Sequence, residues 1–250
     1  MQWYIFPLFF IIAFCAGLVD SIAGGGGLIT VPSLLALGIP PHMALATNKL
    51  QSSFGSFMAA FNFFLKGLVS FKELALGILF IGLGAGAGSV SILHLKTDIL
   101  RVLIPIFLSC IFIYTLFAPK VGEEDRHARL KPPLFYSVFG FGLGFYDGFF
   151  GPGTGSFLTF SIVALLGLNM KKATVHTKVL NFTANLMSLF VFLIAGHVIY
   201  SIGLLMGAGQ MLGAWVGSNL VVRKEVKFIR KVFLCVVGAT ILKLIWDLLH

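Results

Sequence analysis

Four ionisable residues lie inside apolar runs of the chain, where a charged group is costly. They are Asp20 and Lys49 in the first half, and Asp147 and Lys178 in the second. A charge at the centre of a bilayer costs about 3 kcal/mol or more, so such residues usually face a partner or a watery cavity. Because the same two residue types recur at corresponding places, we interpret them as the core of a functional site.

A glycine-rich cluster follows each aspartate. The clusters contain Gly24, Gly25, Gly26 and Gly27 in the first half, and Gly151, Gly153 and Thr154, around Pro152, in the second. Glycine permits backbone angles that are closed to other residues, and a helix interrupted inside a membrane leaves N–H groups unpaired. The N-terminus of a helix presents such groups together with a positive dipole end, which attracts anions. We therefore predict that the short segments from Leu28 and Ser156 each direct such an end at one site.

Polar residues on the next helix of each half complete the predicted site. They are Thr47, Asn48 and Lys49 in one half, and His176, Thr177 and Lys178 in the other, with further polar positions at Gln51, Asn62, Asn181 and Asn185. A cation beside a hydroxyl or amide can replace the hydration shell of an oxyanion. We predict a central cavity in which both glycine turns and both lysines face an anion, while Asp20 and Asp147 carry coupling protons.

Structural interpretations of the same residues stay open. Asp20 with Lys49, and Asp147 with Lys178, could form structural ion pairs within each half. Glycine clusters also occur where membrane helices pack closely. For the glycines of two other helices, helix packing is the preferred interpretation; these are Gly84 and Gly88 in the first half, and Gly213 and Gly217 in the second.

The composition indicates a membrane protein. Of the 250 residues, 58% are apolar and 11% are charged, and the mean hydropathy is +1.00. Soluble domains contain about a quarter charged residues, so we predict that hydrocarbon surrounds most of this chain. At about 20 residues for each span, the length allows eight to ten membrane segments and no soluble domain.

The order of the apolar runs indicates a duplication. The runs fall at about 3–23, 28–38, 44–65, 74–93, 99–118, 133–150, 154–167, 173–195, 198–221 and 228–248. At a constant offset of 129, Lys49 matches Lys178, and glycines before and after them match as well. The predicted parts are a first transmembrane repeat at 1–118, a polar connecting loop at 119–132 and a second transmembrane repeat at 133–250.

Basic residues in the loops indicate how the repeats are oriented. If the short second and seventh runs return the chain to its starting side, 13 loop Lys and Arg residues fall on one side, and only Lys96 and Arg101 on the other. If the short runs cross instead, the division is nine to six. Cytoplasmic loops normally hold a basic excess. We therefore predict an all-α polytopic membrane protein of two inverted repeats, each a glycine-broken helical hairpin plus three transmembrane helices.

These motifs resemble the sulfite exporter TauE/SafE family of membrane permeases. The resemblance lies in the stretch from Gly17 to Gly27, in Pro32 and in Ala46-Thr47-Asn48-Lys49, and the second copy from Asp147 to Lys178 is similar to the second half of that family. It implies transport of sulfur-containing anions such as sulfite or organosulfonates, often outward, across an inner membrane. It also implies that the two glycine-rich regions and the two lysine-containing triplets contact the substrate.

We therefore expect an ion-coupled, multi-pass inner-membrane permease for small sulfur-containing anions. We expect no catalytic residue, cofactor or metal. We also expect no nucleic-acid partner, since the net charge of +9 lies in scattered loops and not on one basic face. The oligomeric state stays open, with a homodimer as one candidate. A second hypothesis is a cation- or proton-coupled transporter of a non-sulfur substrate, with the aspartates as cation sites. A third is an intramembrane aspartic protease, although Phe145 stands where its GxGD signature needs aspartate.

Overall fold

A computed structural model describes residues 5–96, 99 and 124–224, and this part of the chain forms eight helices. They are α1 (Ile5–Ala23), α2 (Gly27–Ala36), α3 (Pro41–Leu65), α4 (Phe71–Leu93), α5 (Pro132–Phe135, π-helical Tyr136–Gly140 and Phe141–Phe149 in succession), α6 (Thr154–Ser161 followed by π-helical Ile162–Leu166), α7 (Met170–Ile194) and α8 (Tyr200–Arg223). Apart from residue 99, the apolar runs at 99–118 and 228–248 lie outside the described residues.

Several described helices begin earlier than the apolar runs that predict them. Helices α3, α4 and α7 each start three residues before their runs, at Pro41, Phe71 and Met170. These first turns contain polar residues such as Lys72 and Lys171, which tolerate water at a helix end. Hydropathy therefore locates the part of a helix that suits hydrocarbon, and the hydrogen-bonded helix extends beyond it.

The described part of the molecule exposes apolar side chains and buries polar ones. Ile194 is 75% exposed and Leu65 is 65% exposed, whereas Lys49 and Lys178 are each 1% exposed. Three described helices, α1, α4 and α7, are long and apolar enough to cross a membrane. An apolar exterior over a polar interior is stable in hydrocarbon, where buried polar groups must find partners inside the protein. The fold is therefore that of a helical membrane protein.

Helices of the two halves pack against each other through glycine. A Cβ atom on Gly84 or Gly88 of α4 would overlap the carbonyl oxygen of Phe141 or Phe145 on α5. On the other side of the molecule, Gly213 and Gly217 of α8 contact α1 in the same way. A Cβ on Gly213 would overlap Phe14 O, and one on Gly217 would lie close to Leu18 O. Small residues let membrane helices approach at backbone distance, so the packing interpretation of these four glycines is confirmed.

Both predicted glycine turns are present. Helix α1 ends at Ala23 and Gly24 adopts a φ of 79°, while α5 ends at Phe149 and Gly151 adopts a φ of 96°. Only glycine visits this left-handed region freely. The helices that follow the turns, α2 and α6, are roughly 15 and 20 Å long at 1.5 Å per residue. Each is too short to cross a hydrocarbon core of about 30 Å.

Loops that carry basic residues meet at one end of the described molecule. The backbone N–H of Asn169, before α7, donates to Asp125, and the Lys171 ammonium donates to Val222 O at the end of α8. At the other end, His42 stacks on His197 with ring centroids 5.6 Å apart. The loops before α5 and α7 and the end of α8 therefore share one face.

Candidate functional site

Each buried lysine pairs with the aspartate of the opposite half. The Lys49 ammonium lies 2.8 Å from the Asp147 carboxylate, and the Lys178 ammonium lies 2.9 Å from the Asp20 carboxylate. All four residues are less than 9% exposed. The hypothesis of ion pairs within each half is therefore wrong in its partners. The α3 and α7 helices each reach across to the aspartate that precedes the other half's glycine turn.

The two ion pairs have different surroundings. Lys49 donates to three acceptors, which are the Asp147 carboxylate, the Asp147 backbone carbonyl at 2.5 Å and the Asn185 side chain at 3.4 Å. Among the described residues, Lys178 donates to Asp20 alone. The other carboxylate oxygen of Asp20 accepts from the backbone N–H of Gly26, at the start of α2. Among the described residues, Lys49 therefore uses all three of its N–H donors, whereas Lys178 uses one.

Hydroxyl contacts hold each short helix to the lysine-bearing helix of its own half. Thr30 on α2 donates to the Asn48 side chain at 2.6 Å, and the Thr159 hydroxyl on α6 donates to that of Thr177 at 3.0 Å. Both pairs are related by the 129-residue offset. Asn48 and Thr177 directly precede the two lysines, so these bonds fix each helix end relative to its neighbouring cation.

The two glycine turns touch each other. A Cβ on Gly24 would overlap the backbone of Gly155, and one on Gly27 would lie 3.6 Å from the Cβ of Pro152. The Ser156 hydroxyl, in the first turn of α6, donates to Ala23 O at 2.7 Å. The N-cap residues of the two short helices, Gly26 and Gly153, have no side chain to cap the first turn, and at α2 the Asp20 carboxylate accepts from the N–H of Gly26 instead. The N-termini of α2 and α6 therefore converge on one point, where positive dipole ends add to the two ammonium groups.

A small polar cavity of about 20 Å³ lies at this meeting point. It is lined by Asp20, Gly24, Gly27, Asn48, Lys49, Ser52, Asp147, Gly151, Gly153, Gly155, Asn181 and Asn185. A space of this volume accommodates about one water molecule. In this conformation the cavity is too small for an oxyanion of four or more heavy atoms, which would enter only after the walls separate.

The chain is similar to known proteins over almost its whole length. The family described as "Sulfite exporter TauE/SafE" matches residues 9–244. The chain belongs to this family. The TauE/SafE match covers both glycine turns and both lysines, so the resemblance found in the motifs is confirmed.

Relatives in the TauE/SafE family are named as transporters. "Probable membrane transporter protein YfcA" of Escherichia coli (strain K12) is 44% identical over 238 residues, which cover 95% of this chain and 88% of the relative. A "Probable membrane transporter protein" of Haemophilus influenzae is 41% identical over 240 residues, covering 96% and 94%. "Probable membrane transporter protein ORF9" of Sinorhizobium sp is 42% identical over 250 residues, covering 100% and 96%. No solved structure matches the chain. This TauE/SafE protein is a membrane transporter.

Several predicted site residues do not line the cavity. Gly25 and Gly26 lie within the first turn, and Lys178 holds the wall residue Asp20. Thr154 donates its hydroxyl to Gly151 O, and Thr177 accepts from Thr159. Thr47 accepts from the backbone N–H of Ile199.

His176 lies at a different cavity. It lines a space of about 250 Å³ with residues that include Lys171 and Lys172. Its Nδ1 atom is buried without a hydrogen-bond partner among the described residues. Position explains the separation, because His176 is two residues from Lys178 and therefore lies on another face of α7.

Two wall residues, Ser52 and Gly155, are not among the predicted site residues, although Gly155 ends the second glycine-rich cluster. Ser52 lies 129 residues before the wall residue Asn181, so the internal repeat contains the signal that could have identified it. Gly155 follows the second turn and contacts Gly24. In the part of the chain that the structure describes, no three His, Cys, Asp or Glu side chains are grouped as metal ligands would be.

Proposed function

We propose that this transporter carries a small sulfur-containing oxyanion, such as sulfite or an organosulfonate, across the inner membrane as a multi-pass, ion-coupled permease. One observation supports this most directly: the Lys49 ammonium and the N-termini of α2 and α6 line a single small cavity, and the Lys178 ammonium binds Asp20 in its wall. Ammonium groups and helix N-termini are the groups that bind oxyanions in dry surroundings.

Charge balance supports a coupling role for the aspartates. With both carboxylates ionised, Asp20 and Asp147 neutralise Lys178 and Lys49, and the site has no net charge to attract an anion. A proton on either carboxylate would leave its lysine available to the substrate. An anion and a proton would then bind together and cross together.

Equivalent contacts in the two halves support the inverted-repeat architecture. The crossed ion pairs, the threonine bridges and the glycine-mediated helix crossings each occur twice, once from each half. The basic loops before α5 and α7 share one end of the molecule, as the positive-inside pattern requires. We propose that the halves rock against each other around the central cavity, as in other repeat-built transporters.

Transport by purified protein tests the proposal. The protein is reconstituted into vesicles, and uptake of sulfite, sulfonates, sulfate and thiosulfate is measured with and without an imposed proton gradient. We expect uptake of sulfite or a sulfonate that the gradient accelerates and that Lys178→Ala abolishes. Lys72→Ala, which removes an exposed cation outside the site, is the matched control. Normal uptake in both Lys49→Ala and Lys178→Ala would contradict the proposal.

A cation- or proton-coupled transporter of another substrate is the second candidate, and one observation favours it. Both lysines are already neutralised by carboxylates, and Lys49 has no free donor. In this alternative the lysines are tethered counter-ions, and a cation displaces them from Asp20 and Asp147. Flux that follows metal-cation gradients and ignores sulfite would identify it. Since each carboxylate contacts a lysine, the two aspartates do not share a proton as in a protease dyad.

A further inference from the structure

A second cavity lies between the loop 124–131 and helix α6, away from the central site. Its volume is about 380 Å³, within the range of small-molecule sites. Three residues of the loop, Arg126, His127 and Arg129, form its basic rim, and Phe160, Val163 and Ala164 of α6 form its apolar floor. No acidic side chain of the described residues lines it. The cavity thus combines cations at its mouth with a floor that prefers hydrocarbon.

Backbone hydrogen bonds hold the rim in place. The N–H groups of Arg126 and Arg129 donate to Gly167 O and Leu165 O, at 2.7 and 2.8 Å. A Cβ on Gly167, which has a φ of 73°, would overlap the carbonyl oxygen of Arg126. The close approach of the loop therefore depends on this glycine. Both arginine side chains are exposed and stay at the mouth of the cavity because their backbone is anchored.

Asp125, which directly precedes Arg126, is already paired. Asp125 forms a salt bridge with Lys172 and accepts from the backbone N–H of Asn169. Its pKa is lowered from the usual value, mainly by the hydrogen bond from Lys172 and then by that from Asn169. Asp125 therefore stays ionised and engaged with α7, and it leaves the two arginines to an external anion.

We propose that this cavity binds an anionic phospholipid of the surrounding leaflet, with its phosphate between Arg126 and Arg129 and an acyl chain against Phe160, Val163 and Ala164. Basic pockets at the cytoplasmic ends of membrane helices recognise such headgroups. The apolar floor distinguishes a lipid from a soluble phosphate, which would leave this surface uncovered. The inference is independent of the transported substrate, since it rests only on the cavity and on the membrane location.

Lipid retention by the purified protein tests this inference. The protein in neutral detergent is incubated with dioleoyl phosphatidylglycerol or dioleoyl phosphatidylcholine, and retained lipids are counted by native mass spectrometry. We expect retention of phosphatidylglycerol and little of phosphatidylcholine. The double variant Arg126→Gln/Arg129→Gln should bind phosphatidylglycerol about tenfold or more weakly. The double variant Lys66→Gln/Lys72→Gln removes the same charge outside the cavity and should bind like the unaltered protein.

A substitution in the apolar floor, which leaves the charge of the cavity unchanged, tests whether the ligand is a lipid or a soluble phosphate. Ala164→Trp would fill the floor, so it should reduce phosphatidylglycerol retention while glycerol 1-phosphate fails to compete for the site. Lipid retention is compared only among variants whose melting temperatures equal that of the unaltered protein. Equal losses in the arginine and lysine double variants would overturn the proposal in favour of general charge attraction. Unchanged retention in Ala164→Trp, or displacement by glycerol 1-phosphate, would overturn it in favour of a soluble phosphate.

Discussion

Individual charges at the centre of this molecule depend on partners more than 90 residues away in the chain. Lys49 is neutralised by Asp147, and Lys178 by Asp20, at exposures of 12% or less for every side chain involved. A buried ion pair adds little net stability, but removing one member leaves an uncompensated charge that costs about 3–5 kcal/mol. The pairs are therefore best examined by removing one charge and then its partner.

We expect Asp20→Asn to destabilise the protein by about 3–5 kcal/mol, because the Lys178 ammonium then lacks its carboxylate. The double variant Asp20→Asn/Lys178→Met should recover most of this loss. The matched control is Asp20→Asn/Lys49→Met, which removes the same charges but leaves both Lys178 and Asp147 unpaired. Thermal unfolding in detergent measures all three variants. Equal recovery in the two double variants would show that the pairing is not crossed.

The exposed pair of Asp125 and Lys172 has a definite pH dependence. The pKa of Asp125 is lowered in the folded protein by the hydrogen bond from Lys172 and by that from Asn169. A carboxyl with a lowered pKa contributes stability above its usual pKa of 3.8 and loses it as pH falls through the lower folded value. Asp125→Asn should therefore reduce stability by under about 1 kcal/mol near pH 7.

The same substitution should lose its effect as the pH falls below the lowered pKa of Asp125 in the folded protein, where the carboxyl is protonated in both states. Melting temperatures of Asp125→Asn and of the neighbouring Glu124→Gln, measured across this pH range, provide the comparison. A difference between Asp125→Asn and the unaltered protein that grows as the pH falls would have the wrong sign for this contact.

At this scale the sequence predicts which residues matter better than it predicts their partners. Charges within apolar runs identify Asp20, Lys49, Asp147 and Lys178, because the cost of burying a charge is large enough to limit them to special places. The crossed pairing depends on how α3 and α7 pack, and neither hydropathy nor the 129-residue offset contains that information. His176 illustrates the same limit, since adjacency to Thr177 and Lys178 does not place it on their face.

Helices follow the hydropathy pattern closely, and their contacts follow the glycines. Predicted runs and observed helices differ by at most three residues at each end within the described ranges. Both glycine turns and the packing role of Gly84, Gly88, Gly213 and Gly217 could be predicted, because glycine has few uses in a membrane helix. The sequence does not predict which helix lies opposite each glycine, because that depends on tertiary contacts between the halves.

Two glycines of α5 make a matched test of these contacts. A Cβ on Gly144 would overlap Ile81 O of α4, whereas one on Gly142 meets nothing within 4 Å. We expect Gly144→Ala to separate α4 from α5 and to lower the melting temperature. Gly142→Ala should be neutral or more stable by about 0.5–1 kcal/mol, because alanine favours a helix over glycine. Thermal unfolding measures both variants, and a similar fall in melting temperature in the two would contradict close packing at Gly144.

The two halves of the described molecule leave only a small space between them at the central site. The cavity of about 20 Å³ is bounded by the contact of the two glycine turns. If the halves move as proposed, these turns must separate in each transport cycle. The sequence predicts that the turns face one site, but it contains no direct measure of the gap between them.

A cross-link between the turns tests this motion. The Cβ positions of residues 27 and 152 lie 3.6 Å apart, within the range of about 3.5–4.5 Å for a disulfide. In a chain whose three native cysteines are replaced by alanine, we expect Gly27→Cys/Pro152→Cys to lose transport on oxidation and to regain it on reduction. Each single cysteine variant is the control. Undiminished flux through fully cross-linked protein would rule out separation of the turns.

The crossed ion pairs also bear on how such a molecule could have arisen. Taken alone, either half contains a buried cation and a buried anion that are placed for a partner and not for each other. A half-length ancestor with this arrangement could have balanced its charges only by association with a second copy of itself. Fusion of two such genes would then have joined the two copies covalently. Each half could afterwards diverge in sequence, as the equivalent positions Ser52 and Asn181 illustrate.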